Sequence, residues 1–130
     1  MAQEKLNVMV TGGTGFVGSH TVRALVNAGH SVSLLVRSPQ KMQRVFAPFG
    51  LENLPYIEGD ITDEASVNNA LNGCNAVVHS AALVSVHASD SEKVLNNNLL
   101  GTRLVFGGAW QRGIRRMVQV SSTTALFRSG

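Results

Sequence analysis

The 130-residue chain contains one cysteine, Cys74, so no intrachain disulfide can form. A lone thiol is typical of reducing compartments rather than of disulfide-stapled secreted domains. No uninterrupted apolar segment approaches the roughly 20 residues that a helix needs to cross a bilayer. Residues 1–5 are mostly polar and lead directly into the first apolar run. We therefore expect no signal peptide, no membrane association and a cytoplasmic location.

Aromatic residues make up only 5% of the sequence, although its formal net charge is +3. Nucleic-acid sites combine basic residues with aromatic stacking platforms. The basic residues here are spread along the chain without interleaved aromatics, so nucleic acid is not an expected partner. The four histidines show no metal-ligand spacing with Cys74 or with one another, and no metal site is predicted.

The chain does contain an alternation of short apolar runs and helical patterns. Strands are predicted at Leu6–Val10, Ser31–Val36, Tyr56–Glu58, Ala76–His79 and Met117–Val120. Helices are predicted at Phe16–Ala28, Gln40–Phe46, from about Glu64 to Leu71, and at Ser89–Arg112. This alternation predicts right-handed crossovers and an α/β fold with a parallel sheet covered on both faces.

The helical periodicity also predicts which side chains are buried. For the first helix the expected face is Val17, Thr21, Ala24, Leu25 and Ala28, with Gly29 ending the helix. For the last helix it is Val94, Asn98, Gly101, Thr102, Val105 and Ala109. The third helix is expected to begin with a capping hydroxyl from Thr62.

The first strand runs into a glycine-rich segment over residues 11–18 that a helical pattern follows at once. A pyrophosphate can rest on a helix N-terminus only where no side chain screens the backbone amides. Gly13, Gly15 and Gly18 have the dinucleotide-binding spacing, and Gly12 lies three residues before Gly15. Glycine clusters also occur in ordinary turns, but the strand–loop–helix context favours a phosphate loop.

The acid that usually binds the ribose of NAD would lie at the tip of the second strand, where this chain has Arg37. No Asp or Glu occurs between Glu4 and Glu52. A guanidinium can fork onto the 2′-phosphate of NADP, so NADP is preferred over NAD. Lys41 and Arg44 could add charge, although a solvated helix face is the simpler interpretation of both. Arg37 could likewise just end its strand in solvent.

Asp60 and Ile61 follow the third strand, where an adenine would lie in a sheet of this winding. The Asp60 carboxylate could accept from the adenine amino group while Ile61 covers the ring. A turn or helix-capping role for Asp60 is an equal alternative.

Several motifs, in the order in which they occur along the chain, resemble those of one protein family. They are Thr11-Gly12-Gly13-Thr14-Gly15-Phe16-Val17-Gly18, Gly59-Asp60-Ile61, His79-Ser80-Ala81-Ala82, Asn98-Leu99-Leu100-Gly101-Thr102 and Val120-Ser121-Ser122. With them the chain resembles the N-terminal part of an extended short-chain dehydrogenase/reductase, of the NAD(P)-dependent epimerase/dehydratase and dihydroflavonol reductase type. The resemblance implies a doubly wound Rossmann sheet of strand order 3-2-1-4-5 and one dinucleotide-binding domain over residues 1–130.

The residue patterns and the resemblance together give the expected cofactor-binding residues: Gly12, Thr14, Gly15, Phe16, Val17, Gly18, Arg37, Arg44, Asp60, Ile61, Ala81, Ala82 and Asn98. By the resemblance, Ala81 and Ala82 lie under the nicotinamide ribose, and Asn98 supports the active-site water and backbone. Ser122 is implied as the catalytic serine whose hydroxyl binds the reacting oxygen of the substrate. Thr123 is the alternative if the register shifts by one residue.

The implied function is the NADP(H)-binding part of an oxidoreductase or epimerase that moves hydride between nicotinamide and a carbonyl or hydroxyl substrate, with a homodimer as one assembly. Such enzymes also need a Tyr and a Lys four residues apart on a later helix. The only tyrosine, Tyr56, is followed four residues later by Asp60. We therefore expect this sequence to stop before that pair and to be inactive alone. The alternative is a non-catalytic NAD(P)-binding regulatory or redox-sensing module.

Overall fold

The structure, a computed structural model, describes residues 4–82 and 87–121. Its strands are β1 (Asn7–Thr11), β2 (Ser31–Val36), β3 (Tyr56–Glu58), β4 (Ala76–His79) and β5 (Arg116–Gln119). All pairings are parallel, and the order across the sheet is β3-β2-β1-β4-β5. The predicted fold class and strand order are confirmed, and the first and last strands lie one residue from their predicted bounds.

Four α-helices connect the strands: α1 (Phe16–Asn27), α2 (Pro39–Phe46), α3 (Glu64–Leu71) and α4 (Ser91–Gln111). Short 3₁₀ turns follow α2 at Ala47–Phe49 and precede α4 at Ala88–Asp90. A glycine with positive φ follows α1, α3 and α4, at Gly29, Gly73 and Gly113, and the prediction that Gly29 ends α1 is confirmed. In the part of the chain that the structure describes, no helix has the length and apolarity to cross a membrane.

Two apolar cores lie on opposite faces of the sheet because successive strand residues point to opposite sides. In β1, Val8 and Val10 face one core and Met9 faces the other. The first core is closed by α1 and α2 through Val22, Met42 and Phe46. The second is closed by α3 and α4 through Val67, Leu71, Val105 and Ala109. Both faces of the sheet are therefore covered over its central strands, whereas the edge strand β5 leaves Val118 57% exposed.

The buried face of α1 differs from the predicted one. Gly18 and Val22 are its buried residues, whereas Val17 is 49% exposed and Ala24 and Ala28 are exposed. Of the predicted face, Leu25 packs against the first core and Thr21 is partly buried. A Cβ on Gly18 would collide with the Gly12 carbonyl oxygen and crowd Gly13. This close approach turns the side of α1 that carries position 18 toward the loop, and apolar periodicity cannot register a glycine as an interface residue.

The cap of α3 is Asp63 rather than Thr62. The Asp63 carboxylate accepts from the backbone N–H and the hydroxyl of Ser66, at 3.2 and 2.6 Å. Both hydrogen bonds lower the pKa of Asp63, and the bond from the Ser66 hydroxyl has the larger effect. Thr62 instead donates its hydroxyl to Asp60. In α4 the predicted stripe is buried at Gly101, Val105 and Ala109 and partly exposed at its other members.

The corrected face of α1 predicts opposite outcomes for one substitution at two valines of that helix. Val22→Ala removes packing from a side chain with no exposed surface and should lower the free energy of unfolding by about 2 kcal/mol. Val17→Ala should change it by less than about 0.5 kcal/mol. Urea denaturation of both variants measures the difference. Equal losses would contradict the face that the structure assigns.

Candidate functional site

A cleft of about 400 Å³ opens at the carboxyl ends of the strands. Crevices of this kind form in open α/β sheets where the strand order reverses, here between β1 and β4. The cleft is lined by Gly12, Thr14, Gly15, Leu35, Val36, Arg37, Ser38, Lys41, Gly59, Asp60, Ile61, Thr62, Ser80, Ala81, Ala82, Asn97 and Asn98. The topology therefore brings together segments from along most of the described chain.

The loop after β1 makes a tight turn that only glycine accommodates. Gly12 has a φ of +66°, and its carbonyl accepts from the Gly15 N–H at 3.1 Å. A Cβ on Gly12 would lie 2.5 Å from the backbone nitrogen of Ala81. Gly13 has negative φ and packs on Leu34. The turn therefore belongs to Gly12, which supports the spacing Gly12–Gly15–Gly18.

Gly15 is small for a different reason. A Cβ there would meet only the Gly12 carbonyl oxygen, at 3.4 Å, so protein packing does not demand a glycine. Gly15 is also the N-cap of α1, and among the described residues no side chain caps this helix and no acid lies in its first turn. The N–H groups of its first turn and the positive end of its dipole are therefore available to a ligand. This arrangement fits the phosphates of a dinucleotide.

Phe16, Val17 and Gly18 do not line the cleft through their side chains. Phe16 is 82% exposed and stacks edge-on with His20, at a centroid distance of 5.0 Å. Gly18 is buried beneath the loop. What these three residues can offer a ligand is the backbone at the start of α1.

The end of β2 forms the basic side of the cleft. Arg37, Ser38 and Lys41 all line it, and no described residue makes an ion pair with either cation. The Ser38 hydroxyl caps α2 by accepting from the Lys41 N–H at 3.2 Å. The cap starts α2 beside the cleft and brings position 41 to its wall. Arg44 is exposed farther along α2 and does not line the cleft.

Asp60 forms a turn, which the sequence analysis gave as the alternative to adenine binding. Its Oδ1 accepts from the Thr62 N–H at 2.9 Å and from the Thr62 hydroxyl at 2.8 Å. Asp60 also lines the cleft, so forming the turn is compatible with a contact to adenine. The Ile61 side chain packs against Gly101 of α4, so closely that a Cβ on Gly101 would collide with it.

A buried polar cluster lies beneath the ends of β1 and β4. The Thr11 hydroxyl oxygen lies 2.6 Å from His79 Nδ1 and accepts from the Ser80 and Ala81 N–H groups, each at 3.1 Å. His79 Nε2 lies 3.5 Å from the Thr102 hydroxyl, and the imidazole meets Phe106 edge-on. Burial lowers the pKa of His79 below its ordinary value of 6.5. Thr11, His79 and Thr102 belong to three of the motifs that carry the family resemblance, but the sequence did not indicate that they contact one another.

Several predicted residues complete the picture. Ala81, Ala82 and Asn98 line the cleft, as does Asn97, which the sequence patterns did not indicate. Ser122 and Thr123 lie outside the described residues. Across residues 4–82 and 87–121, no three His, Cys, Asp or Glu side chains form a group that could hold a metal ion.

Comparison with known proteins identifies the lineage of this site. Residues 9–130 match the model of the 3-beta hydroxysteroid dehydrogenase/isomerase family. The chain belongs to this family. The match spans nearly the whole sequence, so the resemblance to extended short-chain dehydrogenases/reductases is confirmed.

Individual relatives of the family agree. A provisionally named dihydroflavonol 4-reductase of Synechocystis sp. is 39% identical over 123 residues, covering 93% of this chain and 34% of that protein. A UDP-glucose 4-epimerase of Klebsiella pneumoniae is 32% identical over 126 residues, covering 92% of this chain and 91% of the relative. The chain thus spans about a third of the first of these family members.

A solved structure extends the comparison to the fold. A short-chain dehydrogenase/reductase superfamily protein from Agrobacterium tumefaciens, with bound NAD, superimposes with a TM-score of 0.74 at 29% identity. The alignment covers 89% of this chain and 32% of that one. The Rossmann architecture of the family is therefore shared.

The loop glycines predict different sensitivities to alanine. Gly12→Ala forces a non-glycine residue to positive φ and against the Ala81 backbone, so it should lower the free energy of unfolding by about 2 kcal/mol or more. Gly15→Ala meets no such obstacle and should cost less than about 1 kcal/mol. Urea denaturation of the two variants tests this. A Gly15→Ala loss as large as that of Gly12→Ala would refute the assignment of the turn.

Burial of His79 predicts a pH dependence of stability. Because its pKa is lowered in the folded state, the unfolded chain binds the proton more readily, and the free energy of unfolding should fall as pH decreases below about 6.5. Urea denaturation between about pH 8 and pH 5 measures the slope. In His79→Asn the slope should be shallower, since the other histidines are common to both proteins. An unchanged slope would show that His79 does not cause it.

Proposed function

We propose that this chain is the NADP(H)-binding part of an oxidoreductase- or epimerase-type enzyme that transfers hydride between nicotinamide and a carbonyl or hydroxyl substrate. One observation carries the proposal: the same cleft contains the N-terminus of α1 and the cations Arg37 and Lys41, and residues 4–82 and 87–121 supply neither a side-chain cap for the helix nor an ion-pair partner for the cations. The first feature suits a pyrophosphate, and the second suits a further phosphate on the adenosine ribose. The named relatives, a reductase and an epimerase, favour an enzyme over a regulatory module.

The pyrophosphate would lie over Gly15, against the first amides of α1. Gly15 leaves this space to a ligand, because no protein atom but the Gly12 oxygen lies within reach of a Cβ there. Gly12 and Thr14 line the same part of the cleft. Phe16, Val17 and Gly18 would contribute backbone rather than side chains.

The adenosine would extend from the pyrophosphate toward the ends of β2 and β3. Arg37, Ser38 and Lys41 would surround the 2′-phosphate, the guanidinium through paired hydrogen bonds and the ammonium as a point charge. Arg44 would add only long-range attraction from outside the cleft. Ile61 would cover the adenine, while Asp60 has one carboxylate oxygen engaged by Thr62 and a second that could accept from the amino group.

The nicotinamide end would reach past β4. Ala81 and Ala82 offer small side chains there, against which a flat ring can lie, and Asn98 borders the same region from α4. The bound coenzyme supplies or accepts the hydride. The Ser122 hydroxyl would hold the reacting oxygen of the substrate by a hydrogen bond, which follows from the family motif after β5. The substrate itself would be a small carbonyl or hydroxyl compound.

The choice of coenzyme can be measured directly. NADPH should bind the 130-residue chain at least about tenfold more tightly than NADH, because a charged hydrogen bond to phosphate contributes roughly 1.5–3 kcal/mol. Arg37→Ala should reduce NADPH affinity about tenfold to hundredfold and leave NADH affinity nearly unchanged. Quenching of coenzyme fluorescence or calorimetric titration gives both constants.

Two variants control this experiment. Arg103→Ala removes the same charge from an exposed position of α4 outside the cleft and should leave the NADPH/NADH ratio unaltered. Gly15→Ala should weaken both coenzymes together, since it fills the pyrophosphate space. Equal affinities of the parent for NADPH and NADH would refute the 2′-phosphate assignment, and no binding of either would refute the function.

A further inference from the structure

We propose, on the basis of the proposed function, that Thr11 and His79 are positioning residues for the bound dinucleotide. In this arrangement a neutral His79 turns the Thr11 hydroxyl proton toward itself, and the hydroxyl oxygen is left to hold the Ser80 and Ala81 amides at the floor of the cleft. The pair thereby ties the β4 side of the cleft to the phosphate loop.

The direction of each hydrogen bond follows from counting lone pairs. A hydroxyl oxygen has one proton to donate and two lone pairs to accept with. The Ser80 and Ala81 N–H groups can only donate, and both donate to Thr11 Oγ1, at 3.1 Å each; the Ser80 N–H is shared with the Thr11 carbonyl oxygen, at 3.2 Å. The hydroxyl proton must therefore point at its remaining neighbour, His79 Nδ1, at 2.6 Å. Nδ1 is then an acceptor and carries no proton.

The other ring nitrogen completes the assignment. A neutral imidazole without a proton on Nδ1 carries it on Nε2. Nε2 faces the Thr102 hydroxyl of α4 at 3.5 Å, a group that can accept. His79 is 3% exposed, and its imidazole contacts Phe106 edge-on at a centroid distance of 5.7 Å. One tautomer and one ring orientation satisfy this cluster.

The atoms held by this pair are part of the cleft. Ser80 and Ala81 both line it, and the same peptide lies against Gly12, where a Cβ would stand 2.6 Å from the Ser80 carbonyl carbon. A shift of the Ser80–Ala81 backbone would therefore either open a gap at Gly12 or displace the phosphate loop. Catalytic and binding geometry tolerates little displacement of this kind. Loss of the Thr11 hydroxyl should be felt by the coenzyme although Thr11 itself is buried.

The first test uses the hydroxyl itself. Thr11→Val replaces it with a methyl group of similar shape and leaves the Ala81 N–H without its acceptor and the Ser80 N–H with the Thr11 carbonyl alone, so it should weaken NADPH binding about tenfold. Thr11→Ser keeps the hydroxyl and should stay within about threefold of the parent. Val32→Ala, a cavity variant in β2 outside the cleft, should lower the melting temperature while leaving NADPH affinity within about twofold. This control separates positioning from general loss of stability.

A second pair of variants tests the imidazole. The side-chain oxygen of His79→Asn can occupy the place of Nδ1 and accept the Thr11 proton, so NADPH affinity should be largely retained. His79→Leu offers no acceptor and should reproduce the loss of Thr11→Val. This pair decides the question even if Thr11→Val does not fold.

Two measurements need no coenzyme. Imidazole nitrogen resonances of the parent should show a protonated Nε2 and an unprotonated Nδ1. The Ala81 amide should exchange hydrogen slowly in the parent and in Thr11→Ser but fast in Thr11→Val, whereas the Ser80 amide keeps the Thr11 carbonyl as an acceptor and should change less. A protonated Nδ1, or Thr11→Val with parental NADPH affinity, would overturn the inference alone. If the parent binds neither NADPH nor NADH, the proposed function and the positioning role both fail, while the exchange data still report whether the cluster holds the peptide.

Discussion

The close approach of two backbone segments, the turn at Gly12 and the Ser80–Ala81 peptide, is the constraint on which the rest of the site depends. It exists because β1 and β4 are neighbours in the sheet although their ends are far apart in sequence. It requires a residue without a side chain at position 12. The same turn receives Gly18 against its carbonyl, and this contact fixes how α1 rests on the sheet. One contact between backbones thus orients the phosphate loop, the first helix and the floor of the cleft.

Electrostatics divides the cleft into regions with different chemistry. The start of α1 offers uncapped amides, whereas α2 and α3 are closed by Ser38 and Asp63. Next to it, Arg37 and Lys41 contribute positive charge without a carboxylate partner among the described residues. The β4 side contributes small side chains and a buried histidine whose pKa burial lowers. A ligand that is anionic at one end and flat and uncharged at the other is complementary to this gradient.

The sequence patterns predicted much of this because their signals are local. Strand and helix types follow from apolar period, and the glycines that end three helices follow from their backbone freedom. The lack of acids between Glu4 and Glu52 can be read from the sequence alone, and so can Arg37 at the position of the usual ribose-binding acid. The pattern was wrong about the face of α1 and the cap of α3, where a glycine contact and a neighbouring carboxylate decided between alternatives that local rules left nearly equal.

By itself, the sequence determined the order of elements, the sheet class and the candidate phosphate loop. Only the tertiary structure decided that Lys41 lines the cleft while Arg44 does not, because the direction in which α2 leaves its cap sets how far each of its turns lies from the cleft. Only the structure joined Thr11 to His79, residues 68 positions apart in the chain. Contacts across such separations depend on which strands become neighbours, and no local periodicity records that.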